Sequence, residues 1–167
     1  MNGWLAGKRA RIDGSNQAIA QALEAAGATL VADGDCEIWI HIAKPTQTKA
    51  AHELTHAEWR ASLDAGLDQR FLGAKNFAAA RFARGEGGAV LFVGAPEQAY
   101  GADQAAAAGA LGNLTKTLGV EWARDGIRVN AILTREDGPT LGNLAAYLVS
   151  DYAAYVTGAV MGIGLDD

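Results

Sequence analysis

Two periods of apolar residues alternate along the chain. Cys36–Ile42 (CEIWIHI) predicts a strand, and Ala89–Val93 is apolar throughout, the pattern of a parallel strand covered on both faces. Ile127–Leu133 and Thr157–Ile163 predict two more, and Ala10–Ile12 a short, weak first one. Helical stretches lie between them. Asp13, Gly14, Ser15 and Asn16 offer capping groups to a helix over Gln17–Ala26, which Gly27 stops. Thr55 with Glu58 has the spacing of a capping box. It opens a long helix to about Ala83, broken by the Gly-Glu-Gly-Gly at 85–88. Another helix reaches about Arg124 and is stopped by Asp125-Gly126, and Leu141–Ser150 makes a short one. This alternation predicts an α/β chain: a reduced Rossmann-like parallel sheet with helices on both faces, in a single domain over 1–167.

Thr29–Ala32 also has strand-forming residues, but only Asp33, Gly34 and Asp35 separate it from Cys36. Neighbouring parallel strands need a crossover of about a dozen residues. Residues 28–35 are therefore expected to be a connection, and the sheet to have about five strands.

The helix over 101–124 has two distinct faces. Ala107, Leu111, Leu114, Leu118 and Trp122 form an apolar stripe that should cover the sheet. Ala105, Gly109, Gly112, Lys116, Gly119 and Ala123 form a bare one. Three interior glycines destabilise a helix by roughly 3 kcal/mol relative to alanine, which implies a packing reason. Close approach of a helix from another subunit is the favoured reason; packing under the chain's own neighbouring helix is the alternative.

Composition removes several function classes. A net charge of −5 argues against nucleic acid as a main partner. Cys36 is the only cysteine, so no internal disulfide forms, which fits a reducing, cytoplasmic setting; it is expected to be a buried strand residue. No apolar run is long enough to span a membrane, and the opening MNGWLAGKRARIDGS lacks the apolar core of a secretory signal. His52-Glu53-Leu54-Thr55-His56 matches H-E-x-x-H, a zinc-hydrolase spacing. That chemistry needs both histidines on one helix face, whereas Thr55 as a cap leaves His52 outside the helix. His41 is no convincing third ligand, and no metal is expected.

Several motifs agree in order with one family. Gly126-Ile127-Arg128-Val129-Asn130-Ala131-Ile132, Leu114-Thr115-Lys116, Glu121-Trp122-Ala123, Tyr147-Leu148-Val149-Ser150-Asp151 and Val156-Thr157-Gly158-Ala159-Val160 are similar to stretches of short-chain dehydrogenases/reductases. Leu54-Thr55 with Glu58-Trp59-Arg60, and Leu5-Ala6-Gly7-Lys8-Arg9-Ala10, resemble two further segments. The resemblance covers most of the chain, with about a third of a usual member absent.

The resemblance implies a dinucleotide loop T-G-x-x-x-G-x-G and a set of asparagine, serine, tyrosine and lysine. The loop here is Asp13-Gly14-Ser15-Asn16-Gln17-Ala18-Ile19-Ala20, with one glycine left and a carboxylate, read as a helix cap, where phosphate would sit. The four reacting positions correspond to Gly66, Gly94, Gln104 and Ala108, none of which ionises. Tyr100 and Lys116 are out of register as replacements. No catalytic, cofactor-binding or metal residues, and no cofactor, are therefore expected. The leading expectation is a non-catalytic subunit in a homo-oligomer, or in a hetero-oligomer with a catalytically complete relative, as the family's mixed assemblies and four-helix dimer bundles imply. An enzyme using other groups in the remnant cleft, or a small-ligand binding module, are the alternatives.

Overall fold

The computed structural model describes residues 3–43, 49–96 and 101–164. Its centre is one six-stranded parallel sheet: β1 (Arg9–Asp13), β2 (Thr29–Leu30), β3 (Ile38–Ile42), β4 (Gly88–Gly94), β5 (Ile127–Thr134) and β6 (Val160–Ile163). The spatial order is β2-β1-β3-β4-β5-β6.

Period-two alternation sorts the strand side chains between two cores. Ala10, Ile38, Ile40, Leu91 and Ile132 pack with α1 (Gln17–Ala25) and α5 (Pro139–Val149) on one face. Trp39, Val90, Phe92, Val129 and Ala131 face α3 (Gln69–Phe82) and α4 (Ala102–Glu121) on the other. The stripe Ala107, Leu111, Leu118 and Trp122 covers the sheet as its spacing predicted, with Leu114 partly buried beside it.

Thr55 caps α2 (His56–Leu63) with a complete capping box: its Oγ1 accepts from Glu58 N, and the Glu58 carboxylate accepts from Thr55 N. That carboxyl is held down to about 2 by the ion pair with Lys49 and the bonds from Thr55. α2 runs into α3 through a widened turn, Asp64–Asp68, so that 56–82 is one bent helix.

Two expectations need correction. Residues 28–35 are not all connection, because Thr29–Leu30 forms an edge strand parallel to β1. The crossover argument assumed that this segment and β3 were neighbours, but they flank β1 on opposite sides. Leu30 and Ile38 both pair with Ala10, so the chain leaves β2 at the level where β3 begins and needs no return helix. Asp13 also does not cap α1. The cap is Asn16, whose Oδ1 accepts from Ile19 N at 2.9 Å, while Asp13 ends β1 and accepts from Trp39 Nε1 at 2.7 Å.

Candidate functional site

A cleft of about 370 Å³ opens at the carboxyl ends of β1, β3, β4 and β5. In open parallel sheets ligands lie in this position. The loops after these strands contribute Ser15, Asn16, Ala43, Ala95, Arg135, Glu136 and Asp137. Helices α2 to α4 and the turn between α2 and α3 close the other side.

The four positions matched to the family's reacting groups converge here. Gly66, Gly94, Gln104 and Ala108 all line the cleft. Gly66 lies in the widened turn, and a Cβ there would fall 2.9 Å from that of Ala107. Tyr100 and Lys44 lie outside the described residues. Lys116 is exposed about two turns beyond Ala108 on α4 and does not line the cleft. Among the described residues no group of His, Cys, Asp and Glu has metal-site geometry, and His52 sits in a separate turn before α2. No helix among them is long and apolar enough to cross a membrane.

Arg70 lines the cleft and is hydrogen-bonded to buried His41, a pair that sequence reasoning did not single out. Arg70 is 3% exposed; its Nη2 donates to Val93 O at 2.7 Å and its Nε to His41 Nδ1 at 3.3 Å. A Cβ on Gly94 would fall 2.9 Å from Nη2 and 3.1 Å from Nη1. The guanidinium thus fills the space that a side chain at position 94 would take. Burial, and then the adjacent Arg70 charge, push His41 down to about 4. His41 is therefore neutral at pH 7, with Nδ1 accepting and the proton on Nε2. Burial lowers Arg70 to about 10, so it keeps its charge. One signal could have found Arg70. It lies one turn upstream of Ala74 on the buried stripe Ala74, Phe77, Ala78 and Arg81 of α3.

A dinucleotide held in the family's manner does not fit these residues. β2 ends opposite Ala10 while β1 continues to Asp13, so the adenosine-side wall stops roughly 10 Å short of the cleft at the usual strand rise. The surviving loop glycine, Gly14 (φ +110°), lies so close to β3 that a Cβ would meet Ile42 O at 2.4 Å. The strand contact explains it without a phosphate. Asn16 already occupies the Ile19 amide at the start of α1, where a phosphate would bind.

The family model described as enoyl-(acyl carrier protein) reductase matches residues 14–135. The chain belongs to the short-chain dehydrogenase/reductase family. A galactitol 2-dehydrogenase (L-tagatose-forming) of Cereibacter sphaeroides is 28% identical over 86% of this chain and 70% of its own length. The fold is similar to a short-chain dehydrogenase/reductase of Mycobacterium marinum, with TM-score 0.86 at 20% identity, covering 95% of this chain and 94% of that one. A hydroxysteroid dehydrogenase of Escherichia coli gives 0.82 at 19% identity, over 95% and 96%. Within this family frame the cleft keeps the usual place of the site and has different side chains in it.

The bare face of α4 divides in the structure. Beyond Gly109 and Gly112 a Cβ would meet nothing within 4 Å; Ala105 is half-buried, and Lys116 and Ala123 are exposed. Val120, 79% exposed, continues that outward stripe. Gly119 does not belong with them. A Cβ there would lie 2.5 Å from Gly158 N, because the Thr157–Gly158 backbone crosses α4 at that point and Thr157 Oγ1 donates to Gly119 O. Its place on the outward face is corrected to internal packing. Exposed Phe71, Leu72 and Phe82 on α3 extend the apolar surface of this side of the molecule.

Proposed function

We propose that this short-chain dehydrogenase/reductase is a non-catalytic subunit that pairs through α3 and α4, with a second copy or with a catalytically complete relative. One observation carries the reading. The positions matched to the family's asparagine, serine, tyrosine and lysine come together in one cleft as Gly66, Gly94, Gln104 and Ala108, and none can take up or release a proton in hydride chemistry. The short β2 supports it, since without a bound dinucleotide the fold has no hydride carrier. The outward face of α4, with open space beyond Gly109 and Gly112, and exposed Leu72 and Phe82 on α3 support assembly on that side.

Sedimentation of the chain at micromolar concentration, alone and with dehydrogenases that co-purify from its own cells, tests the assembly. Wild type is expected to sediment above the mass of one chain, and Gly112→Leu to lose the association while circular dichroism stays unchanged. A wild-type chain that remains a monomer and captures no relative would overturn the pairing. Calorimetric titration with NAD(H) and NADP(H) tests the other half. A dissociation constant tighter than about 100 μM, roughly −5.5 kcal/mol, would contradict the non-catalytic reading.

A further inference from the structure

Arg70 is a buried cation without an anion. Among the described residues no carboxylate lies within ion-pair distance of it, and its acceptors are a backbone carbonyl and a neutral imidazole. A guanidinium has five N–H groups, and only two are engaged by described residues. A charge withdrawn from water and left unpaired is unfavourable unless something else compensates it. The remaining donors are one N–H on Nη2 and two on Nη1, and Arg70 lines the cleft with the bare backbone of Gly94 against its Nη1–Nη2 edge. A guanidinium N–H donates a short, charge-assisted hydrogen bond to a carboxylate oxygen.

We propose that the cleft binds a small organic monocarboxylate, with the Arg70 guanidinium as its anchor and Gly94 as the residue that leaves room for the guanidinium. A monoanion matches the one buried cation that lines the cleft among the described residues. Ala95, Ala107 and Ala108 give the cleft short apolar walls suited to a small carbon skeleton. Among the described residues the other charged groups at the cleft are Arg135, Glu136 and Asp137 on the loop after β5, where two acidic residues outnumber one basic residue and disfavour a dianion such as phosphate. The site needs no nicotinamide and no proton transfer, so it stands whether or not the chain is a non-catalytic subunit.

Titration of the full chain with sodium pyruvate, with inorganic phosphate and with sodium chloride at equal ionic strength tests this. The readouts are the melting temperature and the guanidinium N–H signals of [15N]arginine-labelled protein. Pyruvate is expected to raise the melting temperature saturably and to shift one slowly exchanging guanidinium signal, which is missing in Arg70→Met. Arg70→Met should weaken pyruvate binding at least about tenfold, the scale of a lost charge-assisted hydrogen bond. Gly94→Ala, which displaces the guanidinium while keeping its charge, should weaken it as well and decides the matter should Arg70→Met fail to fold. A response to pyruvate no larger than to chloride, equal binding by wild type and Gly94→Ala, or a preference for phosphate would overturn the proposal.

Discussion

Arg70 and Arg81 lie about three turns apart on the same face of α3, and both are buried. At the amino ends of the strands Arg81 is fully compensated. It donates to Gly87 O at 2.9 Å and lies 3.4 Å from Asp35 and 3.0 Å from Glu86. Arg9 and Arg84 complete the cluster around Asp35 and Glu37. The hydrogen bond from Arg84, more than offsetting burial, holds the Asp35 carboxyl below its ordinary range. Burial raises Glu37, but the side-chain and backbone bonds from Arg9 carry it below as well. At the carboxyl ends Arg70 has only neutral acceptors among the described residues. The same residue type on the same helix therefore closes the fold at one end and leaves an unpaired charge in a cleft at the other. Stability explains the first arrangement and does not explain the second.

The largest expected effect separates the two arginines by stability. Arg81→Met leaves Gly87 O without its donor and removes one of the cations around Asp35, and should destabilise the chain by about 2–3 kcal/mol in urea denaturation. Arg70→Met removes an uncompensated charge and should be neutral or stabilise by about 1 kcal/mol. Equal losses for both would show that Arg70 is structural too.

The two ends should also titrate in different windows. His41 is depressed from its ordinary 6.5 to about 4. Between those values the unfolded chain takes up a proton that the folded chain refuses. Its contribution is full above about pH 6.5 and is lost as pH falls toward 4, to the extent of about 3 kcal/mol. His41→Gln should flatten that window. The depressed carboxylates Asp35 and Glu37 contribute above their unfolded values and lose that contribution only as pH falls below about 4, so the more acidic limb should persist in the variant. Urea midpoints at pH 7, 5.5, 4.5 and 3.5 check both.

The smallest effects sharpen the division within α4. Gly119→Ala pushes a methyl into the Gly158 backbone and should destabilise by about 1–2 kcal/mol. Gly112→Ala enters open space in a helix and should stabilise the single chain by about 0.5–1 kcal/mol. Thermal melts of the two variants at low concentration distinguish them. Opposite signs support two roles for one glycine-rich face.

Much of this was legible in local sequence. The Thr55–Glu58 capping box, the ends of the helices, the strands Ala89–Val93 and Ile127–Leu133, and the covering stripe of α4 all depend on groups a few residues apart. Periodicity and hydrogen-bonding capacity determine such features before any long-range contact forms. Gly66, Gly94, Gln104 and Ala108, which the order of the family motifs singled out, also line one cleft. What sequence spacing could not reach was set by which strands became neighbours. Thr29–Leu30 is a strand only because β1 lies between it and β3. Asp13 turned from α1 to Trp39 because strand alternation points it through the opposite face of the sheet. Gly119 and Gly112 have the same helical surroundings in sequence, and only the return of residues 157–158 over α4 tells them apart. Arg70 looked like one more polar helix residue until the sheet brought Val93, Gly94 and His41 around it. The sequence by itself determined most of the elements, because they are written in neighbouring residues. Tertiary structure alone decided where an unpaired charge was buried, because burial and pairing depend on partners brought together from 23 and 29 residues away along the chain.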